Sequence, residues 1–164
     1  MNIKKQVGIF SFILFLLTAL FALNSGNASA ETPAVTVTGK NVDTIKNIQV
    51  SREKGGSIDS PIGQWEKFRI TADFDLTGKD VKAGDTTELL LSDPLIIENQ
   101  SFDITTTTEP KQVIAHGLVD KDNKKLTLTY TDYVEKNSDV KGDFYFYARV
   151  DYTKHPEGGE IPIQ

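Results

Sequence analysis

The feature that most constrains the fold is a stretch of ten residues, Asp143–Tyr152, in which an apolar row alternates with tyrosines and charged residues. Successive side chains of an extended strand point to opposite faces, so this period places each row on its own side of the backbone. Lys67–Phe74 has the same period. Both stretches are therefore predicted to be half-buried strands. In the first, the apolar row is Phe144, Phe146, Ala148, Val150 and Tyr152, and the opposite row includes Tyr145, Tyr147, Arg149 and Asp151.

Several further segments are rich in β-branched or aromatic residues and are bounded by Gly, Pro, Asn and Asp, which is typical of strands joined by turns. Asp120–Lys125 is predicted to be a hairpin turn, because it lacks the Gly and terminal Glu of a calcium loop. After the leader, no window shows a helical apolar stripe. The pattern predicts an all-β fold, an antiparallel β-sandwich. The additional strands are predicted at Thr86–Leu91, Leu95–Ile104, Gln112–Val119 and Lys125–Val134, with a weaker pattern at Val42–Val50.

The first thirty residues have the three parts of a secretory signal peptide. Two lysines precede the apolar stretch Val7–Leu23, and Ala28-Ser29-Ala30 forms an A-x-A cleavage site. A membrane anchor is the alternative, but small residues follow the stretch where an anchor would have charged flanks. We expect cleavage after Ala30, a secreted or cell-surface protein with no membrane segment after cleavage, and one domain over residues 31–164 with its core at about 40–155.

Composition excludes several classes of function. The chain has no cysteine and two histidines, so it lacks a thiolate nucleophile and the usual zinc ligands. Its net charge of −5, which becomes two units more negative without residues 1–30, disfavours a nucleic-acid partner. His116 and Asp132 could form a triad with a serine, but no nucleophile-elbow glycine pattern accompanies them. We expect no enzymatic activity, no cofactor and no metal site.

The segment Thr127–Val134 reads T-L-T-Y-T-D-Y-V. It resembles the T-Y-T-F-T-D-Y-V signature of Gram-positive matrix-binding surface adhesins, the collagen- and fibrinogen-binding MSCRAMM group, with six of eight positions identical. Val134–Gly142 is similar to a V-E-K-x-S-D-V-x-G stretch of that family. Phe74–Leu76 and Val81–Thr86 are similar to the family's strand and turn before the strand with a G-D-x-x-x-x-x-L-P pattern, from which Leu91–Pro94 departs. The resemblance implies one N-terminal immunoglobulin-like adhesive domain.

The resemblance also implies a function and a site. The function is attachment to a host extracellular-matrix protein of the collagen or fibrinogen class by a strand-and-trench mechanism. The signature strand would lie beside the trench and would need accessible backbone N–H and C=O groups. The open alternatives are a core strand with a solvated threonine face, and tyrosines covered by a second sheet or a neighbouring domain. The candidate ligand-binding residues are Thr127, Thr129, Thr131 and Tyr133 on one predicted strand face, with Tyr145 and Tyr147.

The end of the chain raises a second set of alternatives. A turn at Gly158-Gly159 leads into the start of another strand at Ile161. Because the resembled family continues with closing strands and further domains, we expect a sandwich without its last strand or strands. A neighbouring adhesin domain or a donated strand would complete it. The alternative function is a structural or spacer domain, or a truncated adhesin remnant with no ligand of its own.

Overall fold

The computed structural model describes residues 33–163, so the predicted signal peptide and its cleavage site lie outside the described residues. Two antiparallel sheets enclose one apolar core, and the predicted all-β, immunoglobulin-like sandwich is confirmed. The first sheet has the order β1-β4-β8-β7-β6, and the second has the order β2-β3-β9-β5. The bounds are β1 Val35–Thr38, β2 Ile45–Arg52, β3 Phe68–Asp75, β4 Thr86–Leu91, β5 Leu95–Ile97, β6 Gln100–Thr105, β7 Val113–Asp120, β8 Lys125–Tyr130 and β9 Lys141–Val150, with a 3-10 turn at Val42–Thr44 and the short helix α1 at Tyr133–Lys136.

The alternating stretches occupy the middle of the second sheet. β3 pairs with β9 along its whole length, from Phe68 opposite Ala148 to Asp75 opposite Lys141. The inward rows of both strands are almost completely buried, whereas Tyr145 is 46% exposed on the other face. The predicted sidedness of both strands is therefore confirmed.

The predicted strand Leu95–Ile104 is wrong, because this segment forms two strands in different sheets. β5 pairs with β9 in the second sheet, and β6 pairs with β7 in the first. Leu95 and Ile97 are buried at odd positions, whereas Phe102 and Ile104 face inward at even ones. The change of phase falls at residues 98–99, where the chain crosses from one sheet to the other.

The predicted strand Lys125–Val134 is also too long. β8 ends at Tyr130, and the chain then turns into α1. The Thr131 hydroxyl donates hydrogen bonds to the carbonyl oxygens of Val113 (2.6 Å) and Ile114 (3.1 Å), and it accepts the Tyr133 N–H at 3.3 Å. These bonds fix the turn. The sequence predicted that Tyr133 shares a strand face with Thr127 and Thr129, and this prediction is wrong.

The first strands of the domain also differ from the sequence-based prediction. Val42–Thr44 is a 3-10 turn, and the strand predicted at Val42–Val50 begins at Ile45. β1 lies before the predicted core and pairs with β4. On its other side, the Ala34 N–H donates to the Pro162 carbonyl at 2.7 Å. Residues 161–163 thus lie beside the start of β1, and the absence of closing strands stays a prediction.

A close contact fixes the beginning of β9 against the core. Gly142 lies opposite Phe74, and a Cβ atom at Gly142 would come within 2.7 Å of the Phe74 ring. That ring is 1% exposed and has an edge-to-face contact with Tyr130, with ring centroids 6.1 Å apart. The ring has no room to move away, so the position requires glycine.

We expect Gly142→Ala to lower the free energy of unfolding by about 1–3 kcal/mol, because the added methyl group overpacks a closed core. The measurement is urea unfolding of both proteins. Gly63→Ala is the matched control, since its Cβ would meet nothing nearer than Glu66 Oε2 at 3.7 Å. Equal unfolding midpoints for the two variants would contradict this account of the contact.

Candidate functional site

Two strand edges of the sandwich, those of β9 and β6, face each other, and none of the described strands lies between them. β5 pairs with Ala148–Val150 and ends at Ile97, so the earlier part of β9, 141–147, has no strand partner on that side within the described residues. β6 is the terminal strand of the first sheet and pairs with β7. An unpaired strand edge presents backbone donors and acceptors to whatever lies beside it.

The hydrogen-bond pattern shows which groups of β9 lie on this open edge. The Leu76 N–H donates to the Val140 carbonyl (2.8 Å), and the Asp151 N–H donates to the Pro94 carbonyl (2.7 Å). Because successive residues of an antiparallel strand bond to opposite sides, even residues of β9 bond to β3 and odd residues face the other side. The backbone groups of Asp143, Tyr145 and Tyr147 therefore point to the open edge.

β6 presents the same kind of row from the opposite sheet. The Thr131 N–H donates to the Ile114 carbonyl at 3.0 Å, so even residues of β7 bond to β8 and odd ones bond to β6. The register places the even residues of β6 opposite these odd residues of β7, so even residues of β6 bond toward β7. The backbone groups of Ser101, Asp103 and Thr105 therefore point away from β7. We call the space between these two rows the edge cleft.

The edge cleft has a volume of about 710 Å³ and an aromatic floor. The rings of Phe102 and Phe144 stack with centroids 6.4 Å apart and planes 19° from parallel. Phe102 lies so close above Gly117 that a Cβ there would be 2.4 Å from its ring. Ile104, Ile114, Val140 and Tyr133 add to the apolar lining. The floor is thus fixed by the core, while the walls are strand edges.

An aromatic cluster forms one lip of the edge cleft. Tyr145 and Tyr147 are in edge-to-face contact, with ring centroids 5.7 Å apart. The Arg69 guanidinium lies 4.4 Å from the centroid of Tyr145 and 5.9 Å from that of Tyr147, and it donates to the Glu53 carbonyl at 2.9 Å. These cation–π contacts hold the tyrosine rings in place on the sheet. The lip is therefore ordered and still exposed.

The structure brings together three of the six sequence-predicted site residues, because Tyr133, Tyr145 and Tyr147 all line the edge cleft. Thr127 and Thr129 lie elsewhere, half-buried on the outer face of the first sheet. Thr131 holds the turn before α1 through its hydroxyl.

The expectation of an accessible β8 backbone is wrong. β8 is an inner strand that pairs with β4 on one side and with β7 on the other, so its backbone groups are bonded on both sides. Strand addition beside the signature segment would have to break one of these ladders.

Sequence reasoning missed β6 as a wall of the site. The signal was that inward-facing residues change from odd positions at Ile97 to even positions at Phe102, so the two halves of one apolar run lie in different sheets.

Within residues 33–163, no group of three or more His, Asp or Glu side chains could hold a metal ion. Among the same residues, no helix is long and apolar enough to cross a membrane.

Residues 61–160 match the bacterial Ig domain family (Big_8). Serine-aspartate repeat-containing protein E of Staphylococcus aureus strain MSSA476 is 30% identical over 130 residues, which is 76% of this chain and 11% of that protein. The protein of the same name from strain Mu50 is 29% identical over the same length. The chain thus spans about a tenth of the curated relatives that it matches. Neither name is that of an enzyme.

A solved structure has a similar fold. The serine-rich repeat adhesion glycoprotein Srr1 of Streptococcus agalactiae matches with a TM-score of 0.50 and 21% sequence identity, over 66% of this chain and 35% of that one. At this identity the likeness concerns the sandwich architecture.

We expect the amide hydrogens of Asp143 and Tyr145 to exchange with solvent at least about a hundredfold faster than those of Phe144 and Phe146, since the latter bond into the β3 ladder. Hydrogen exchange followed by NMR on the full chain measures the four rates. Leu128, in the doubly paired β8, is the protected control. Slow exchange at Tyr145 would show that the edge is covered.

The Asp75 carboxylate shows how the second sheet responds to acid. Hydrogen bonds from the Thr77 side chain and backbone, together with the Lys141 ammonium at 3.4 Å, lower the pKa of Asp75 from 3.8 to about 2. The unfolded chain binds this proton at higher pH than the folded one, so the stabilisation is present above about pH 4 and is lost as the pH falls toward 2.

We expect Asp75→Asn to melt at a lower temperature than the parent protein at pH 5 and at nearly the same temperature at pH 2. Circular dichroism melts between pH 2 and pH 5 provide the measurement. Asp59→Asn is the control, because Asp59 forms no hydrogen bond or ion pair within residues 33–163 and should follow the parent throughout. A constant difference for Asp75→Asn at every pH would contradict the assignment.

Proposed function

The chain belongs to the bacterial Ig domain family, and from this membership and the edge cleft we propose that it is a non-enzymatic adhesion module at the cell surface. Its similarity to a staphylococcal serine-aspartate repeat protein and a streptococcal adhesion glycoprotein supports this class of function. A sandwich domain of this kind can bind a ligand or act as a structural spacer. The argument that this domain binds a ligand therefore depends on the geometry of its site.

The observation that carries the proposal is the vacant strand position beside β9. Within the part of the chain that the structure describes, β9 has no strand partner beyond Ile97 on the side away from β3, and the backbone groups of Asp143, Tyr145 and Tyr147 face the cleft. An extended segment of another protein can occupy this position in line with β5 and form the missing ladder. Main-chain bonds of this kind do not depend on the ligand's sequence, so they suit a binder of long, extended chains.

We propose that the ligand is a host extracellular-matrix protein of the collagen or fibrinogen class, engaged by strand and trench. The trench is the edge cleft, and the strand to which the ligand adds is β9, not the signature strand β8. Tyr145 and Tyr147 supply rigid contact area at low entropic cost, and Tyr133 lies against the same ligand path.

The test is binding of the full chain to immobilised collagen, fibrinogen and fibronectin, measured by surface plasmon resonance. We expect saturable binding to collagen or fibrinogen, weakened at least about tenfold by Tyr145→Ala, because an aromatic contact at the centre of a site is a binding hot spot. Thr127→Ala is the matched control, since Thr127 lies on the outer face of the first sheet between Glu88 and Leu118.

Each other outcome counts against the proposal in a distinct way. Equal weakening by Thr127→Ala and Tyr145→Ala would move the site to the outer face of the first sheet. Saturable binding that neither substitution changes would remove the edge cleft as the site. No binding to any of the three proteins would favour a structural or spacer domain.

A further inference from the structure

The outer face of the second sheet contains two carboxylates directly opposite each other. Asp73 on β3 pairs in register with Asp143 on β9. Like charges directly opposite each other destabilise a pair of strands, whereas opposite charges stabilise it. Asp73 accepts a hydrogen bond from the Asn47 amide at 2.8 Å, but Asp143 forms no hydrogen bond or ion pair with any residue of 33–163. Within residues 33–163, Lys46 on β2 lies opposite Asp73, whereas the Asp143 carboxylate at the lip of the edge cleft has no ion-pair partner.

The rest of the cleft lining has the same excess of negative charge. Its charged side chains are three aspartates and one lysine. The lysine, Lys141, forms an ion pair with Asp75, its ammonium 3.4 Å from that carboxylate. Asp103 is bonded to His116 at 2.7 Å, and Asp139 lies beside the open end. The Arg69 guanidinium lies over the Tyr145 ring, 4.4 Å from its centroid. A cation from outside would therefore be drawn to Asp143.

The strand geometry fixes where such a cation would sit. Asp143, Tyr145 and Tyr147 point their side chains outward and their backbone groups toward the cleft, so a ligand strand has its outward residues opposite them. The ligand residue opposite Phe144 points inward, onto the stacked floor of Phe102 and Phe144. In a strand antiparallel to β9, the residue opposite Phe144 immediately precedes the residue opposite Asp143.

We propose that the edge cleft selects an extended, basic segment of a partner protein, in which an apolar residue is followed directly by lysine or arginine. The apolar side chain covers the Phe102–Phe144 floor, and the basic side chain pairs with Asp143. This inference rests on the proposed function for the position of the ligand strand beside β9, and adds the charge and the side-chain order of the ligand.

A second copy of this chain is a poorer occupant for the same reason. The chain has a net charge of −5, so a copy would bring further negative charge to an acidic lip. Complementary charge favours encounter with basic segments and disfavours pairing of like molecules.

The test uses heptapeptides of alternating threonine and valine, capped at both ends, in which the fifth residue is lysine or glutamate. They are titrated into the ¹⁵N-labelled full chain and followed by NMR. We expect the lysine peptide to shift the signals of Asp143, Tyr145 and Tyr147 in a saturable way, and the glutamate peptide to bind at least about fivefold more weakly. A third peptide is the lysine peptide with methylated backbone nitrogens at its third and fifth residues, whose N–H groups would face β9. It should lose binding, because it cannot form the ladder.

Charge reversal distinguishes pairing at Asp143 from general attraction by an acidic protein. Asp143→Lys should invert the preference, so that the glutamate peptide binds more tightly than the lysine peptide. Asp59→Lys is the control, because it changes the net charge equally at an exposed position that is not among the residues lining the cleft, and it should leave the preference unchanged. Equal binding of the two peptides, an unchanged preference in Asp143→Lys, or shifts confined to the first sheet's outer face would overturn the inference.

The same measurements separate this inference from the proposed function. If the lysine peptide binds as expected while collagen, fibrinogen and fibronectin do not, matrix adhesion fails and the basic-segment site stands. If a matrix protein binds through Tyr145 but with equal affinity to the parent protein and to Asp143→Lys, adhesion stands and the basic-segment inference is overturned.

Discussion

The pairing of β3 with β9 is the interaction on which the rest of the structure depends. Eight consecutive residues of each strand are in register, and their inward rows form the centre of the core. The same register places Gly142 under the Phe74 ring and Tyr145 beside Arg69. The backbone groups of the even residues of β9 bond to β3, so those of the odd residues point to the other side. On that side, β5 pairs only with Ala148–Val150. The candidate site is thus the part of β9 that the fold itself does not use.

Much of this arrangement follows from local sequence, and the remainder does not. Strict alternation located β3 and β9 and their buried faces, because each residue's environment there repeats every second position. Alternation failed at Leu95–Ile104, where both halves are apolar but in opposite phase, and at Thr131, where a single hydroxyl bonded to β7 ends the strand. β1 escaped prediction because its four residues depend on pairing with β4 and contact with residues 162–163, both remote in sequence.

The sequence predicted several residues of the candidate site, but it did not predict which strand edge the site lies on. Three tyrosines were singled out for their polar-face placement, and the structure gathers them at one cleft. The resemblance of Thr127–Val134 to an adhesin signature pointed to β8 as the accessible strand. Local sequence does not show that β8 has a neighbour on each side, since this is a property of the sheet order. The opposed carboxylates of Asp73 and Asp143 were invisible for the same reason, because only the register brings them together.

The separation of β3 and β9 along the chain has a consequence for the order in which the domain folds. Contacts between residues 68–75 and residues 141–148 close a long loop. Closing this loop costs chain entropy before burial of the apolar core can compensate for it. The hairpin of β7 and β8 has its partners close in sequence, so it can form early and locally. β9 is the last of the described strands along the chain, and in the second sheet it lies between β3 and β5. A ribosome or export channel still holding residue 141 would therefore hold a chain in which β2 and β3 can pair but β5 is not joined to them, and the edge cleft would not yet exist.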